Sequence, residues 1–243
     1  MFWIRLFVRA SIIVIAAAST TGALANSIIV RSNGPSAGIY PPGKTLAAGS
    51  KIALKTGDTV TVLDAGGTHI LLGPGMVAVS GTNQVAGSGI SQLISNIGVR
   101  QSRTGATRGV NGVAIARSPN VWYIDASRSG MFCVIDPQKL ALWRPISSHA
   151  AVFTIARMRD GKSATVAYRA GQSVAAWPTE ALLVAESDQY QISSSDMASA
   201  IAVKTTLIGT VPSGLDGTAA ALLDKGCSNQ VNLLADASMQ TDQ

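Results

Sequence analysis

Aromatic residues and clustered basic residues are both scarce in this sequence. Aromatic side chains make up 5% of the 243 residues, and the formal net charge of +6 is the balance of 19 lysines and arginines, scattered along the chain, against 13 aspartates and glutamates. Proteins that bind nucleic acid usually concentrate basic residues in a stripe with interleaved aromatic rings. The composition therefore predicts that nucleic acid is not a partner.

Residues that commonly carry out catalysis are also few. The chain has two histidines, His69 and His149, which lie far apart, and it contains no SxxK or HExxH motif. Two histidines and two distant cysteines do not form a recognisable zinc pattern. We therefore expect no catalytic residue, no bound metal and no cofactor.

Four aspartates lie near predicted strand ends, where paired carboxylates could act in acid–base catalysis. They are Asp58, Asp64, Asp125 and Asp136. Asp58 and Asp64 stand beside glycines between apolar stretches, so we expect them to shape turns through side-chain hydrogen bonds.

An export signal is the clearest feature that the sequence does contain. Arg5 and Arg9 precede an apolar stretch over residues 11–18, and Ala23-Leu24-Ala25 forms a small-x-small cleavage site. This order is typical of a signal peptide, and the stretch is shorter than the about 20 apolar residues of a transmembrane helix. We predict a cleaved signal peptide over residues 1–25 and a periplasmic or secreted protein. An uncleaved leader that tethers the protein to the membrane is the alternative.

Residues 26–80 are predicted to form a compact antiparallel β unit. Apolar residues alternate with polar or small ones around Ile52, Val60, Ile70 and Val77, and glycine-containing turns separate these stretches. Hydrophobic residues make up 47% of the chain, which suffices for packed cores. The alternation predicts strands that each bury one face.

Residues 81–120 are rich in glycine, serine and threonine and are predicted to be a linker. Apolar residues at helical spacing indicate one short helix over residues 91–99. Four arginines of the linker could contact an anion such as phosphate or a cell-envelope polymer: Arg100, Arg103, Arg108 and Arg117. We favour the alternative, a solvated and flexible connection.

Residues 121–212 are predicted to form a β-sandwich. The predicted strands are residues 121–125, 132–135, 151–158, 164–169, 182–186 and 190–192. Asp160-Gly161 is typical of a hairpin turn. Trp122, Trp143 and Trp177 are expected to pack in the sheets, with ligand stacking as the alternative.

The last part of the chain changes from a strand-like to a helix-like pattern. Leu222 precedes Gly226, and Val231 and Leu234 follow it at helical spacing, which predicts two short helices joined near a glycine C-cap. We expect this helical cap, residues 213–237, to dock on the second β unit. The polar tail, residues 238–243, is expected to fray.

One segment matches the nucleotide-binding pattern GxxxxGK[ST]. It runs from Gly38 to Thr45 and reads GIYPPGKT. Pro41 and Pro42 lack the N–H groups that would contact phosphate, and Gly49 soon interrupts any helix. We therefore expect no nucleotide here, but a Pro-Gly turn that leads into the first β unit.

Residues 46–79 resemble the periplasmic β domain of FecR-type proteins. The run from Gly49 to Asp58 fits GxxIxLxxGD, and a glycine hairpin follows at Asp64-Ala-Gly-Gly67. The segments RSNGPSA and YPPGK, between residues 31 and 44, are also similar to those of exported Gram-negative proteins. FecR-type proteins relay a signal from a periplasmic domain to a regulator of a sigma factor, so the resemblance implies an interaction role. Only the β module carries over, because residues 1–9 are too few for the cytoplasmic segment of that family.

Cys133 and Cys227 are the only cysteines, and both lie in the region after the linker. Because the export signal places them in an oxidising compartment, we predict a disulfide that pins the terminal helices to the second sheet. Two buried free thiols are the alternative.

These observations predict a mostly β chain: an amino-terminal FecR-like antiparallel domain and a carboxy-terminal β-sandwich with two short terminal helices. The expected function is that of an exported, non-enzymatic interaction or scaffold protein in envelope sensing. Its partner would be an envelope protein or a cell-wall component. The alternatives are a small envelope-acting enzyme, an anion- or ligand-binding protein, and a membrane-tethered FecR-type sensor.

Overall fold

The computed structural model describes residues 26–79, 106–108, 114–210 and 214–239. The protein is mostly β, with several antiparallel sheets and two short carboxy-terminal helices, which confirms the predicted fold class. The predicted signal peptide and the predicted helix over residues 91–99 lie outside the described residues.

The first β unit contains six strands. They are β1 (Ser27–Asn33), β2 (Thr45–Leu46), β3 (Lys51–Leu54), β4 (Thr59–Asp64), β5 (Gly67–Leu72) and β6 (Gly75–Ala78). Four of them form a sheet in the order β2-β1-β4-β5, and β3 pairs with β6.

Two strands of this unit bury both faces, so the prediction of one buried face is wrong for β1 and β4. Ile29 and Val62 pack in a core inside the first unit. The neighbouring Ile28 and Leu63 point the other way, into a core that they share with the terminal helices. A strand covered on both faces is apolar at successive positions, as in the run of three apolar residues that begins at Ile28.

A two-stranded hairpin lies within the predicted linker. It consists of β7 (Ala106–Arg108) and β8 (Ala114–Ala116), which pair in antiparallel register.

The second β unit is a sandwich of a five-stranded and a three-stranded sheet. Its strands are β9 (Ile124–Asp125), β10 (Gly130–Val134), β11 (Ala141–Trp143), β12 (Ala151–Arg157), β13 (Ser163–Tyr168), β14 (Val174–Ala176), β15 (Gln189–Ser194) and β16 (Ile201–Leu207). The sheet orders are β10-β16-β15-β12-β13 and β14-β11-β9. One apolar core that includes Leu142, Ile155 and Ile192 joins the two sheets.

Some predicted strands of the second unit are wrong, and others were missed. Residues 182–186 form no strand, because a turn precedes them in which the Leu182 N–H donates to the Pro178 carbonyl. The Leu182 carbonyl in turn accepts a hydrogen bond from Trp177 Nε1 at 2.7 Å. The strand predicted at residues 121–125 is shortened to β9, since Asn120 Oδ1 accepts the Trp122 N–H at 2.8 Å. The strands β11, β14 and β16 were not predicted.

Two helices, α1 (Leu215–Asp224) and α2 (Ser228–Ser238), follow the sandwich. Gly226 lies between them with φ 73°, a backbone conformation that favours glycine. The helices do not dock on the second unit alone: α1 packs on β1 and β4, and α2 packs on β5 and β10. The predicted fraying of the tail is wrong at Ser238, which is buried in α2 and bonded to Thr68 of β5.

Gln230 and the disulfide attach α2 to the edge strand β10. Gln230 Oε1 accepts the N–H of Cys133 at 2.6 Å, and its Nε2 donates to the Cys133 carbonyl at 3.0 Å. The side chain thus pairs with β10 as a neighbouring strand would. Next to it, Cys133 and Cys227 form the predicted disulfide, with their Cα atoms 5.8 Å apart.

Loss of the disulfide is expected to destabilise the fold strongly. Its cysteines are separated by 94 positions, and a crosslink of that span stabilises by about 4 to 5 kcal/mol in the chain-entropy model. Urea unfolding of the oxidised protein and of a Cys133→Ala/Cys227→Ala variant measures the difference. Dithiothreitol should lower the midpoint of the wild type and leave the variant unchanged. Equal midpoints for the oxidised wild type and the variant would contradict this expectation.

Candidate functional site

The aspartates predicted to shape turns do so. Asp58 accepts the backbone N–H groups of Ser36 at 2.8 Å and Lys55 at 2.5 Å. Burial raises the pKa of Asp58, but these hydrogen bonds outweigh it and hold the pKa below its ordinary value. Asp64 accepts the N–H of Gly66 at 2.8 Å.

His69 is one of the two histidines considered as catalytic candidates, and it contacts Asp64. Its Nε2 lies 3.4 Å from Asp64 Oδ1 across the β4–β5 hairpin. Asp136 lies in a turn, where it accepts the N–H of Gln138 at 2.9 Å and pairs with Lys139 at 3.2 Å. The side chains of His69, Asp64 and Asp136 therefore interact with polar atoms of their own turns.

Among the four arginines of the predicted linker, the structure describes the side chain of Arg117 alone. Its Nη1 donates to the Asp236 carbonyl at 3.1 Å, and Arg31 pairs with the Asp236 carboxylate at 2.6 Å. Arg117 is therefore engaged with α2, and its predicted anion contact stays a prediction. Arg100 and Arg103 lie outside the described residues, and Arg108 is described only as part of β7.

Asp125 lines a groove of about 140 Å³ beside Arg117 and α2. Burial raises the pKa of Asp125, while bonds from the Ser127 N–H and hydroxyl and the charge of Arg128 oppose this. Ser127 and Arg128 lie two and three positions after Asp125, so the carboxylate mainly stabilises the turn that it begins.

The tryptophans and the motif from Gly38 to Thr45 have structural roles. Trp122, Trp143 and Trp177 are buried, as predicted. Thr45 begins β2, and Lys44 donates to the Ile39 carbonyl at 2.8 Å, so the segment is a turn that leads into a strand.

Arg144 is the most unusual polar residue of the second unit. Its side chain exposes only 1% of its surface. It follows β11 directly, and its Nε donates to the Gln172 carbonyl at 3.0 Å. Its Nη2 donates to the carbonyls of His149 at 2.6 Å and Arg169 at 3.1 Å. The guanidinium also lies over the Tyr168 ring, 4.8 Å from the centroid, which holds its plane in place.

One nitrogen of this guanidinium is not used by the fold. Arg144 Nη1 is buried and has no hydrogen-bond partner among the described residues. Its ionic neighbour is Asp196 Oδ2, at 3.9 Å, which is too long for a direct hydrogen bond. Both N–H groups of Nη1 therefore lack an acceptor among the described residues.

Asp196 is held from its other side by His149. The Nε2 atom of His149 lies 2.9 Å from Asp196 Oδ2, and the Ser148 hydroxyl lies 3.2 Å from Nδ1. A carboxylate only accepts, so the imidazole donates to Asp196. This bond fixes the carboxylate beside Arg144.

A concave cleft of about 280 Å³ opens in front of Arg144 and Asp196, and we call it the Arg144 cleft. It lies where the connections after β9, β11 and β15 meet at one end of the sandwich. Its wall is otherwise largely apolar. The side chains that define it are Arg144, Ile146, Phe153, Asp196, Met197 and Ile201.

Sequence reasoning missed this cleft. Of its polar cluster only His149 was considered, and Arg144 resembles a surface residue after an apolar strand. The one local sign that Arg144 is buried is the segment Leu142-Trp-Arg-Pro145, in which arginine directly follows two large apolar residues. Asp196 lies in a serine-rich turn about 50 positions later, and only the packing of β12 and β15 brings it near.

No family model, curated protein or solved structure matches the chain in comparisons with known proteins. The FecR-like resemblance therefore stays a prediction. Within the described ranges, no group of three or more histidine, cysteine, aspartate or glutamate side chains is arranged to hold a metal ion. No helix in the part of the chain that the structure describes is long and apolar enough to cross a membrane.

Proposed function

We propose that this chain is an exported, non-enzymatic binding protein that holds a small ligand in the Arg144 cleft. The observation that carries the proposal is the buried Arg144 Nη1 atom, which has no hydrogen-bond partner among the described residues and belongs to a residue that lines the cleft. Buried polar groups are usually satisfied, so an unused donor at a concave surface indicates a place for an acceptor from outside the chain.

The cost of this arrangement supports a ligand rather than a purely structural role. A buried donor without a partner costs about 1 to 3 kcal/mol, and more when it is charged. Nε and Nη2 already anchor the side chain, so this anchoring does not require a hydrogen bond from Nη1. An acceptor from a ligand would recover the lost interaction.

Binding is a better fit than catalysis for the polar cluster. The Ser148, His149 and Asp196 side chains are linked in a row, which could suggest a nucleophile activated by a base. However, His149 is 54% exposed, and neither it nor Ser148 is among the residues that line the cleft. Their arrangement positions Asp196.

Export is supported by two independent features. The sequence has the order of a signal peptide, and Cys133 and Cys227 form a disulfide of the kind that persists in oxidising compartments. An exported binding protein would meet envelope components, so a cell-wall component remains the kind of partner that we propose. The FecR-like sensing role is part of the same hypothesis.

Intact-mass analysis of the protein recovered from the envelope fraction tests export. The expected mass is that of a chain beginning at Asn26 with the disulfide intact, because cleavage should follow Ala25. A mass that retains residues 1–25 would favour the tethered form.

Ligand binding in the cleft is tested by titrating the ¹⁵N-labelled protein with small neutral, anionic and cationic fragments. We expect amide shifts at Ser127, Ile146 and Met197, which line the cleft. Ala198→Trp should abolish these shifts, because Ala198 also lines the cleft and an indole would fill it.

Ala53→Trp is the matched control, since Ala53 is exposed on β3 in the first unit. It should bind fragments as the wild type does. Fragment shifts that persist in Ala198→Trp, or an absence of shifts at the cleft, would contradict the proposed function.

A further inference from the structure

We propose that the ligand of the Arg144 cleft is an uncharged molecule that carries a hydroxyl group on a small apolar body. This inference rests on the proposed function, because it names the class of ligand for the same cleft. It follows from the charge, the spacing and the wall of the site.

The charge of Arg144 is already balanced. Asp196 Oδ2 lies 3.9 Å from Arg144 Nη1, and both residues line the cleft. A ligand carboxylate bound to Nη1 would lie beside the Asp196 carboxylate, and the two negative charges would repel each other. A ligand ammonium could pair with Asp196, but it has no acceptor for the Nη1 N–H.

A hydroxyl group satisfies both partners at once. Its oxygen accepts from Arg144 Nη1, and its hydrogen points to Asp196 Oδ2. With the two protein atoms 3.9 Å apart, one oxygen can lie about 2.8 Å from each of them. An ether or ketone of the same shape accepts from Arg144 but offers Asp196 no donor beyond His149.

The remaining wall of the cleft determines the polarity and size of the rest of the ligand. Ile146, Phe153, Met197 and Ile201 present apolar surface to the cleft. Ile146 is 55% exposed at the edge of the cleft. A volume of about 280 Å³ accommodates a body the size of a single ring. The hydroxyl would orient this body, and burial of its apolar face would supply affinity.

The test compares three probes that share one ring: cyclohexanol, cyclohexanecarboxylate and cyclohexylammonium. Each is titrated against the ¹⁵N-labelled full chain, and dissociation constants are taken from the cleft amides. We expect cyclohexanol to bind at least about tenfold more tightly than the carboxylate, because of the repulsion from Asp196.

Asp196→Asn should reverse this preference. The substitution keeps the size of the side chain but leaves the Arg144 charge unbalanced, so the carboxylate should gain affinity relative to cyclohexanol. Asp136→Asn is the control: Asp136 pairs with Lys139 in a turn, outside the cleft, and the preference should stay that of the wild type.

The outcomes separate this inference from the proposed function. Tighter binding of the carboxylate or the ammonium by the wild type overturns the inference and leaves a ligand site in place. A preference for cyclohexanol that survives in a folded Asp196→Asn protein also overturns it. If no ring probe and no fragment shifts the cleft amides, the proposed function itself fails. The wild-type comparison decides between the ligand classes even if Asp196→Asn does not fold.

Discussion

The burial of α2 between two β units is the constraint on which the rest of this structure depends. One side of the helix is fixed to β10 through Gln230 and the Cys133–Cys227 disulfide. From the other side, Arg31 of β1 bonds to Asn232 and Asp236. The first sheet thus has an apolar face that packs in one core with the helices and with residues of the second unit such as Cys133. The two β units and the helices are therefore expected to fold as one cooperative structure.

The rigid sandwich explains how the Arg144 cleft can be maintained. The guanidinium is fixed by three backbone carbonyls and by the Tyr168 ring, and these groups come from β13 and the turns beside it. Burial raises the pKa of Tyr168 although the Arg144 charge opposes this, so the phenol stays neutral and donates to the Leu142 carbonyl. A buried guanidinium with an unused donor keeps one position only where its surroundings are fixed in this way.

The sequence predicts the features that local rules determine. The Asp160-Gly161 turn joins β12 and β13, with the positive φ at Gly161, and Gly226 separates the two helices. Features that depend on distant partners were not predictable. The apolar run in β1 fits an ordinary strand until α1 and α2 are known to cover its second face. The burial of Arg144 arises only when carbonyls near positions 149, 169 and 172 converge on it.

Hydrogen exchange of a Leu234→Ala variant tests most directly whether α2 couples the two β units. Leu234 is fully buried in the core shared by the helices and both units, and its truncation should remove about 2 to 5 kcal/mol of stability. Leu183→Ala, at a half-exposed position, is the control. The account predicts that amides of β4 and β10 lose protection together in Leu234→Ala and not in the control. Loss of protection in β10 alone, with β4 unchanged, would contradict it.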